Sequence, residues 1–172
     1  MRHGHDCIVA LVSRLLLAFI VVLALAQSAR AQEAIYIVRH AERLDQSTDS
    51  PLSTDGVGRA HRLRDMLRDA GVTHIFTSDL QRTIETAKPL AEALRLAPQQ
   101  LPGADVRPLA ARLRALTPHD RALVVGHSNT LPELLRALNV TAPVTIGDTD
   151  FGNLFIVVPQ KDAPPLLLRL KY

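Results

Sequence analysis

The chain has 172 residues, one cysteine, no tryptophan, 3% aromatic residues and a formal net charge of +3. Residues 1–31 carry Arg2, Arg14 and Arg30 against Asp6 alone; without them, 17 bases face 16 acids. Near-neutral charge with so few aromatics excludes a nucleic-acid-binding protein, which needs clustered cations and stacking rings, and the 141 residues after position 31 are enough for one domain and too few for two.

The first 31 residues read as a secretory signal. Arg2 and Arg14 precede an apolar run from Leu15 to Ala26, and the small residues Ala29 and Ala31 form an Ala-x-Ala cleavage site. That run has 12 residues, short of the roughly 20 that a spanning helix needs. Cleavage after Ala31 would start the mature chain at Gln32 and place it in the periplasm or outside the cell, with no stable membrane insertion. The alternative is an uncleaved anchor, with Ile8 to Val12 extending the apolar stretch across Arg14. Cys7 precedes the apolar core and leaves with it, so the mature domain has neither disulfides nor thiolate metal sites.

Ala34 to Val38 is a continuous β-branched run, the pattern of a strand buried on both faces. Arg43 to Ser53, with Pro51, is a loop. A helix follows from Ser53 or Thr54 to Ala70, with Val57, Ala60, Leu63, Leu67 and Ala70 on one face and Gly71 as its stop. Thr73 to Thr77 is a second strand. Ser78 and Gln81 form a capping box for the next helix, whose buried stripe is Leu80, Ile84, Ala87, Ala91 and Leu94 and which Pro89 should kink. Pro98, Pro102 and Gly103 break the chain before a third helix through Leu109, Leu113 and Leu116, ending before Pro118. Ala122 to Val125 is a further buried strand. Gly126-His127-Ser128-Asn129 leads into a helix capped by Thr130 and Glu133, with Pro132 in its first turn. Asn153 to Val158 and Leu166 to Leu170 close the chain as edge strands around a turn at Gln160 to Pro164. The order β-α-β-α-α-β-α-β-β predicts a three-layer α/β/α sandwich with a mostly parallel sheet and antiparallel edge strands.

Three strand-to-helix junctions end in residues that packing would not choose: Arg39-His40, Arg82 and His127. The carboxyl ends of parallel strands meet along one edge, where ligand sites form. Two guanidinium groups and two imidazoles gathered there make an oxyanion site, because the arginine fork matches phosphate oxygens and stays charged. Backbone N–H groups of the helix at Thr130 would add to it. A neutral imidazole can then attack phosphorus and form a phosphohistidine, while the other steadies the equatorial oxygens. This scheme needs neither metal nor cofactor. A metal held by His40, His127 and a carboxylate is the alternative, opposed by the two arginines. His61, His74 and His119 read as surface or packing residues.

Four segments resemble the histidine phosphatase superfamily, the phosphoglycerate mutase-like proteins. Ile37-Val38-Arg39-His40-Ala41-Glu42 resembles its strand and Arg-His-Gly motif, with alanine for glycine. Leu52-Ser53-Thr54-Asp55-Gly56 is similar to its Leu-Ser/Thr-x-x-Gly helix start. Ser78 to Ala87 resembles Ser-x-Leu-x-Arg-x-x-x-Thr-Ala, and Val124 to Ser128 its Gly-His motif. The resemblance implies that His40 is the phosphorylated nucleophile, that Arg39 and Arg82 bind the phosphoryl group and that His127 completes the pocket. Many members also carry a carboxylate general acid. No segment here matches it; Asp105, Glu42 and Asp79 are the candidates, and Asp105 would serve equally as a helix cap.

The expected function is a metal-independent, exported phosphatase acting on a phosphorylated small molecule or glycan. Small exported members resemble lipopolysaccharide core heptose phosphatases, and small cytoplasmic ones resemble phosphohistidine phosphatases. A non-catalytic phosphate- or anion-binding protein on the same fold is the alternative from another class. So short a domain leaves little chain for a lid, which predicts an open crevice selecting for the phosphoryl group itself.

Overall fold

The computed structural model describes residues 34–102 and 105–172; the expected leader at 1–31 and the break at Gly103 lie outside the described residues. Among the described residues ten elements follow one another: β1 (Ala34–Arg39), α1 (Thr54–Leu67), β2 (His74–Thr77), α2 (Gln81–Leu94), β3 (Gln99–Gln100), α3 (Arg107–Arg114), β4 (Arg121–Gly126), α4 (Leu131–Ala137), β5 (Asn153–Val158) and β6 (Leu166–Lys171).

The strands form one sheet in the order β3-β2-β4-β1-β5-β6. The first three pairings are parallel; β5 and β6 are antiparallel and close one edge, as the C-terminal hairpin pattern predicts. Because side chains alternate across a strand, β1 divides its apolar residues between two cores. Ile35 and Ile37 pack with Leu113 of α3 and Leu131, Leu134 and Leu135 of α4. Val38 lies on the other face with Leu63 and Leu67 of α1 and Leu90 of α2. This is the expected three-layer α/β/α sandwich, and its doubly covered central strands explain the unbroken apolar runs.

Several local expectations are corrected. Helix α1 starts where predicted, with the Ser53 hydroxyl accepting from Gly56 N–H, but it ends at Leu67; Gly71, at a φ of 71°, makes the turn into β2. Val57 is 45% exposed, and Gly56 takes the buried position instead. A Cβ on Gly56 would lie 2.3 Å from the Glu42 carbonyl oxygen, so glycine lets the first turn of α1 lie directly against the chain leaving His40. In helix α2, which contains Pro89 as expected, the buried stripe includes Thr83 and Thr86 in place of Ile84. Neither capping box forms. Leu80 is the N-cap of α2 and Thr130 that of α4, both without a side-chain cap hydrogen bond. The Gln81 N–H is satisfied from afar by Asp49 Oδ1 at 2.7 Å. Strand β3 is two exposed glutamines, too short and polar for any hydrophobic period to mark.

Val38 of β1 and Thr77 of β2 both pair with Val125 of β4. Three parallel strands therefore end at one level, and the residues that follow, His40, Ser78 and His127, emerge along the same edge.

Candidate active site

That edge is a cleft of about 420 Å³ lined by Arg39, His40, Arg43, Asp79, Arg82, His127, Ser128, Asn129 and Asp148. All four residues singled out from the sequence are brought together here. A larger cavity of about 470 Å³, lined by Ile35, Leu138, Val157 and Pro164 among others, contains none of them.

His40 is pinned at both ends of its own residue. Its backbone N–H donates to Gly126 O at 2.9 Å, continuing the β1–β4 ladder by one step. Its Nδ1 lies 2.7 Å from Ala41 O. A carbonyl only accepts, so Nδ1 carries the ring hydrogen and Nε2 keeps a free lone pair. Ala41 stands where the resembling motif has glycine; its methyl group packs, fully buried, with Leu52 and Ala60, and its N–H donates to Thr86 Oγ1 at 2.9 Å. The His40 and His127 ring centres are 5.3 Å apart, with planes tilted by 58°.

The two arginines are positioned by loops rather than by acids. Arg39 Nη1 donates to Gly147 O and Asp148 O at 2.7 and 2.9 Å, and the guanidinium lies 4.2 Å from the centre of the Phe151 ring. Arg82 Nη1 donates to Thr48 O at 2.8 Å. The Nε of each is buried without a hydrogen-bond partner. Burial, first of all, holds both guanidinium groups below the usual arginine value, and neighbouring cations add to this, Arg43 acting on each. An anion in the cleft would relieve these cation repulsions.

The imidazoles respond more strongly. Burial lowers His40 to about 3, against the opposing Ala41 hydrogen bond and with help from His127, Arg39 and Arg82. Burial and then Arg82 and Arg39 lower His127 to about 4. Both rings are neutral at pH 7, as a nucleophilic imidazole must be. A linked stability effect follows. Below the ordinary histidine value of 6.5 the unfolded chain binds protons that the folded one refuses, so stability falls with pH. Each ring contributes a slope of about 1.4 kcal/mol per pH unit between roughly pH 6.5 and 4. Urea unfolding at pH 7.5 and 5 should show this loss, and His40→Asn should reduce the slope; a flat profile would contradict neutral burial of the rings.

The carboxylate candidates separate clearly. Glu42 accepts a forked pair of hydrogen bonds from Arg59 Nε and Nη2; burial tends to raise it, but Arg59 leaves it below the usual glutamate value. Asp105 accepts from Arg107 N–H and the Arg107 side chain, which hold it at about 2. Both are held as carboxylates and are poor acids. Asp79 alone of the three lines the cleft beside the arginines. The N–H groups of Thr130 and Leu131, expected to receive an anion, already donate to His127 O, and Pro132 has none to offer. His61, His74 and His119 lie away from the cleft lining, as expected.

Sequence reasoning missed Arg43, a third guanidinium in the cleft wall, and the whole Gly147–Phe151 turn that holds Arg39. Arg43 follows His40 by three residues, outside the motif, and its backbone bridges to Leu52 across the loop. The 147–151 turn has no periodicity to mark it.

The three-layer α/β/α fold sets two neutral histidines among arginines at the carboxyl ends of its parallel strands, an arrangement whose charge suits an oxyanion. The model of the histidine phosphatase superfamily (branch 1) matches residues 35–105, a stretch containing Arg39, His40 and Arg82. Over that stretch the chain is similar to the superfamily. Among its relatives, the protein named "Probable phosphoglycerate mutase GpmB" of Proteus mirabilis (strain HI4320) is 41% identical over 68 residues, covering 36% of this chain and 32% of the relative. Its Yersinia pestis (strain Pestoides F) namesake is 42% identical over 69 residues, with the same coverage. The match thus spans about a third of these relatives' length. The solved structure of the protein histidine phosphatase SixA with tungstate superposes with a TM-score of 0.67 at 21% identity, over 80% of this chain and 96% of that one. A mycobacterial glucosyl-3-phosphoglycerate phosphatase superposes with a TM-score of 0.62 at 18% identity, over 81% and 97%. These two likenesses establish the fold.

Proposed function

We propose that the chain is a phosphatase that hydrolyses phosphomonoesters or related phosphoryl groups through a covalent phosphohistidine at His40, without a metal ion. The observation that carries this is the bare Nε2 of His40, exposed by the Nδ1 bond to Ala41 O and set in one cleft with two guanidinium groups whose Nε atoms lack partners. The guanidiniums draw the phosphoryl group in and spread its charge. The bond from Nε2 to phosphorus forms as the bond from phosphorus to the leaving oxygen breaks. Water then attacks phosphorus, releasing phosphate and restoring Nε2.

The SixA-like reading, a phosphohistidine phosphatase, has its own support. With Glu42 and Asp105 tied to arginines, Asp79 is the one carboxylate candidate left to protonate a leaving group, and an imidazole, with a pKa near 6.5, needs less of that help than an alkoxide. Export to the periplasm, with a mature N-terminus at Gln32, belongs to this proposal too and favours a phosphorylated small molecule or glycan.

The test is a panel of nitrophenyl phosphate, sugar phosphates and a phosphohistidine peptide, with and without chelator, together with acid-labile labelling by a radioactive phosphodonor. Chelator-insensitive turnover and labelling are expected. Phosphate binding without turnover of any substrate would leave a non-catalytic anion-binding protein, and a requirement for added zinc or magnesium would point to metal-assisted hydrolysis. N-terminal sequencing of the exported protein tests cleavage.

A further inference from the structure

The Ser78 hydroxyl, which the capping pattern assigned to α2, lies 2.9 Å from Thr83 Oγ1 and 3.0 Å from His127 Nε2. Counting hydrogens gives this chain a direction. Thr83 O–H reaches Leu80 O at 2.8 Å and Ser78 O at 3.1 Å, and carbonyls only accept, so the threonine hydrogen belongs there. The hydrogen between the two hydroxyls therefore comes from Ser78. Leu80 N–H also donates to Ser78 Oγ, at 3.3 Å. What remains for His127 is a serine lone pair, so Nε2 must carry the ring hydrogen. Both hydroxyl-bearing residues are buried, Thr83 completely, which favours this internal chain over exchange with water.

A neutral imidazole with its hydrogen on Nε2 has only a lone pair on Nδ1, and no hydrogen bond reaches that atom among the described residues. A phosphoryl oxygen repels a lone pair and requires a donor. The charged and titratable groups of the surrounding elements are Arg39 and His40 at the end of β1, Arg43 in the following loop, Asp79 and Arg82 at the start of α2, Asp148 before β5 and, in the adjoining cavity shared by Ser78 and His127, Asp105 paired with Arg107. Burial first, and then their cationic balance, keep the ring neutral; a bound dianion reverses that balance.

We propose that Ser78, oriented by Thr83, is a positioning residue that fixes His127 as the Nε2–H tautomer, so that His127 binds a phosphoryl group only by taking up one proton on Nδ1. The step is equivalent to admitting the phosphate monoanion, whose P–O–H hydrogen passes to Nδ1 and leaves a dianion beside an imidazolium, with total charge unchanged. It rests on the phosphate-binding reading of the cleft.

Long-range proton–nitrogen NMR of the 15N-labelled protein at pH 7.5 tests it, with the His127 signals identified by their loss in His127→Gln. A bare Nδ1 and a protonated Nε2 are expected in the wild type and in Ser78→Thr. In Ser78→Ala and Thr83→Val the two nitrogens should move toward averaged shifts. Saturating inorganic phosphate should bring Nδ1 of the wild type to a protonated shift. A hydrogen on Nδ1 of the free wild type, or an unchanged tautomer in both disrupting variants, would overturn the positioning role. Phosphate that shifts the His40 signals without protonating His127 would overturn the proton uptake. If phosphate moves no cleft signal, the phosphate-site reading fails and the proton uptake with it, while the variants still decide the tautomer.

Discussion

His40→Ala is expected to lower turnover of any phosphomonoester substrate by at least about 10³-fold, because it removes the imidazole proposed to take phosphorus covalently. The KM should change far less, since Arg39 and Arg82 remain to hold the phosphoryl group. Acid-labile labelling should vanish altogether. His40→Asn is the companion variant: its smaller amide lets the turn after β1 survive without offering an imidazole lone pair. His40 is 4% exposed and contributes its backbone N–H to Gly126 O, so circular dichroism and thermal melting accompany the kinetics. Undiminished turnover in a folded His40→Ala protein would assign the nucleophile elsewhere.

Arg82→Ala is expected to reduce kcat/KM by about 10²- to 10³-fold, the magnitude of losing one charged donor aimed at developing negative charge. Arg82 is the better test of phosphoryl binding because Thr48 O is the one hydrogen-bond acceptor it holds within the described residues. Arg39 also supports the 147–148 turn and stacks on Phe151, so its removal would mix loss of charge with loss of structure. Arg82→Lys should recover only part of the activity, as an ammonium cannot present the planar fork. Competitive inhibition by inorganic phosphate should weaken in parallel. A kcat/KM within threefold of wild type would remove Arg82 from the site.

The parallel reading of the sheet, its antiparallel hairpin edge and the four residues of the cleft are legible in the sequence for a physical reason. Strands covered on both faces need unbroken apolar runs, so an Arg-His or Gly-His pair directly after such a run marks where the strand surfaces at its carboxyl edge. Cap patterns are less dependable. Ser78-x-x-Gln81 and Thr130-x-x-Glu133 have the spacing of capping boxes, yet Ser78 turns to His127 and Thr130 closes its turn with the backbone of His127. A hydroxyl takes the partner that tertiary packing brings nearest, and local spacing does not specify which one that is.

Composition sets the basic, apolar residues 1–31 apart from a nearly neutral remainder, and the order of apolar runs and breakers was enough to determine an α/β/α sandwich with histidines and arginines at its strand ends. Only the tertiary structure decided what each of those groups faces. It tied Glu42 to Arg59 and Asp105 to Arg107, took the Thr130 and Leu131 N–H groups out of use, brought Arg43 back to the cleft and placed the 147–151 turn over Arg39. These are contacts between segments with no shared period, and their energies depend on distance and burial, quantities a chain acquires only when it folds.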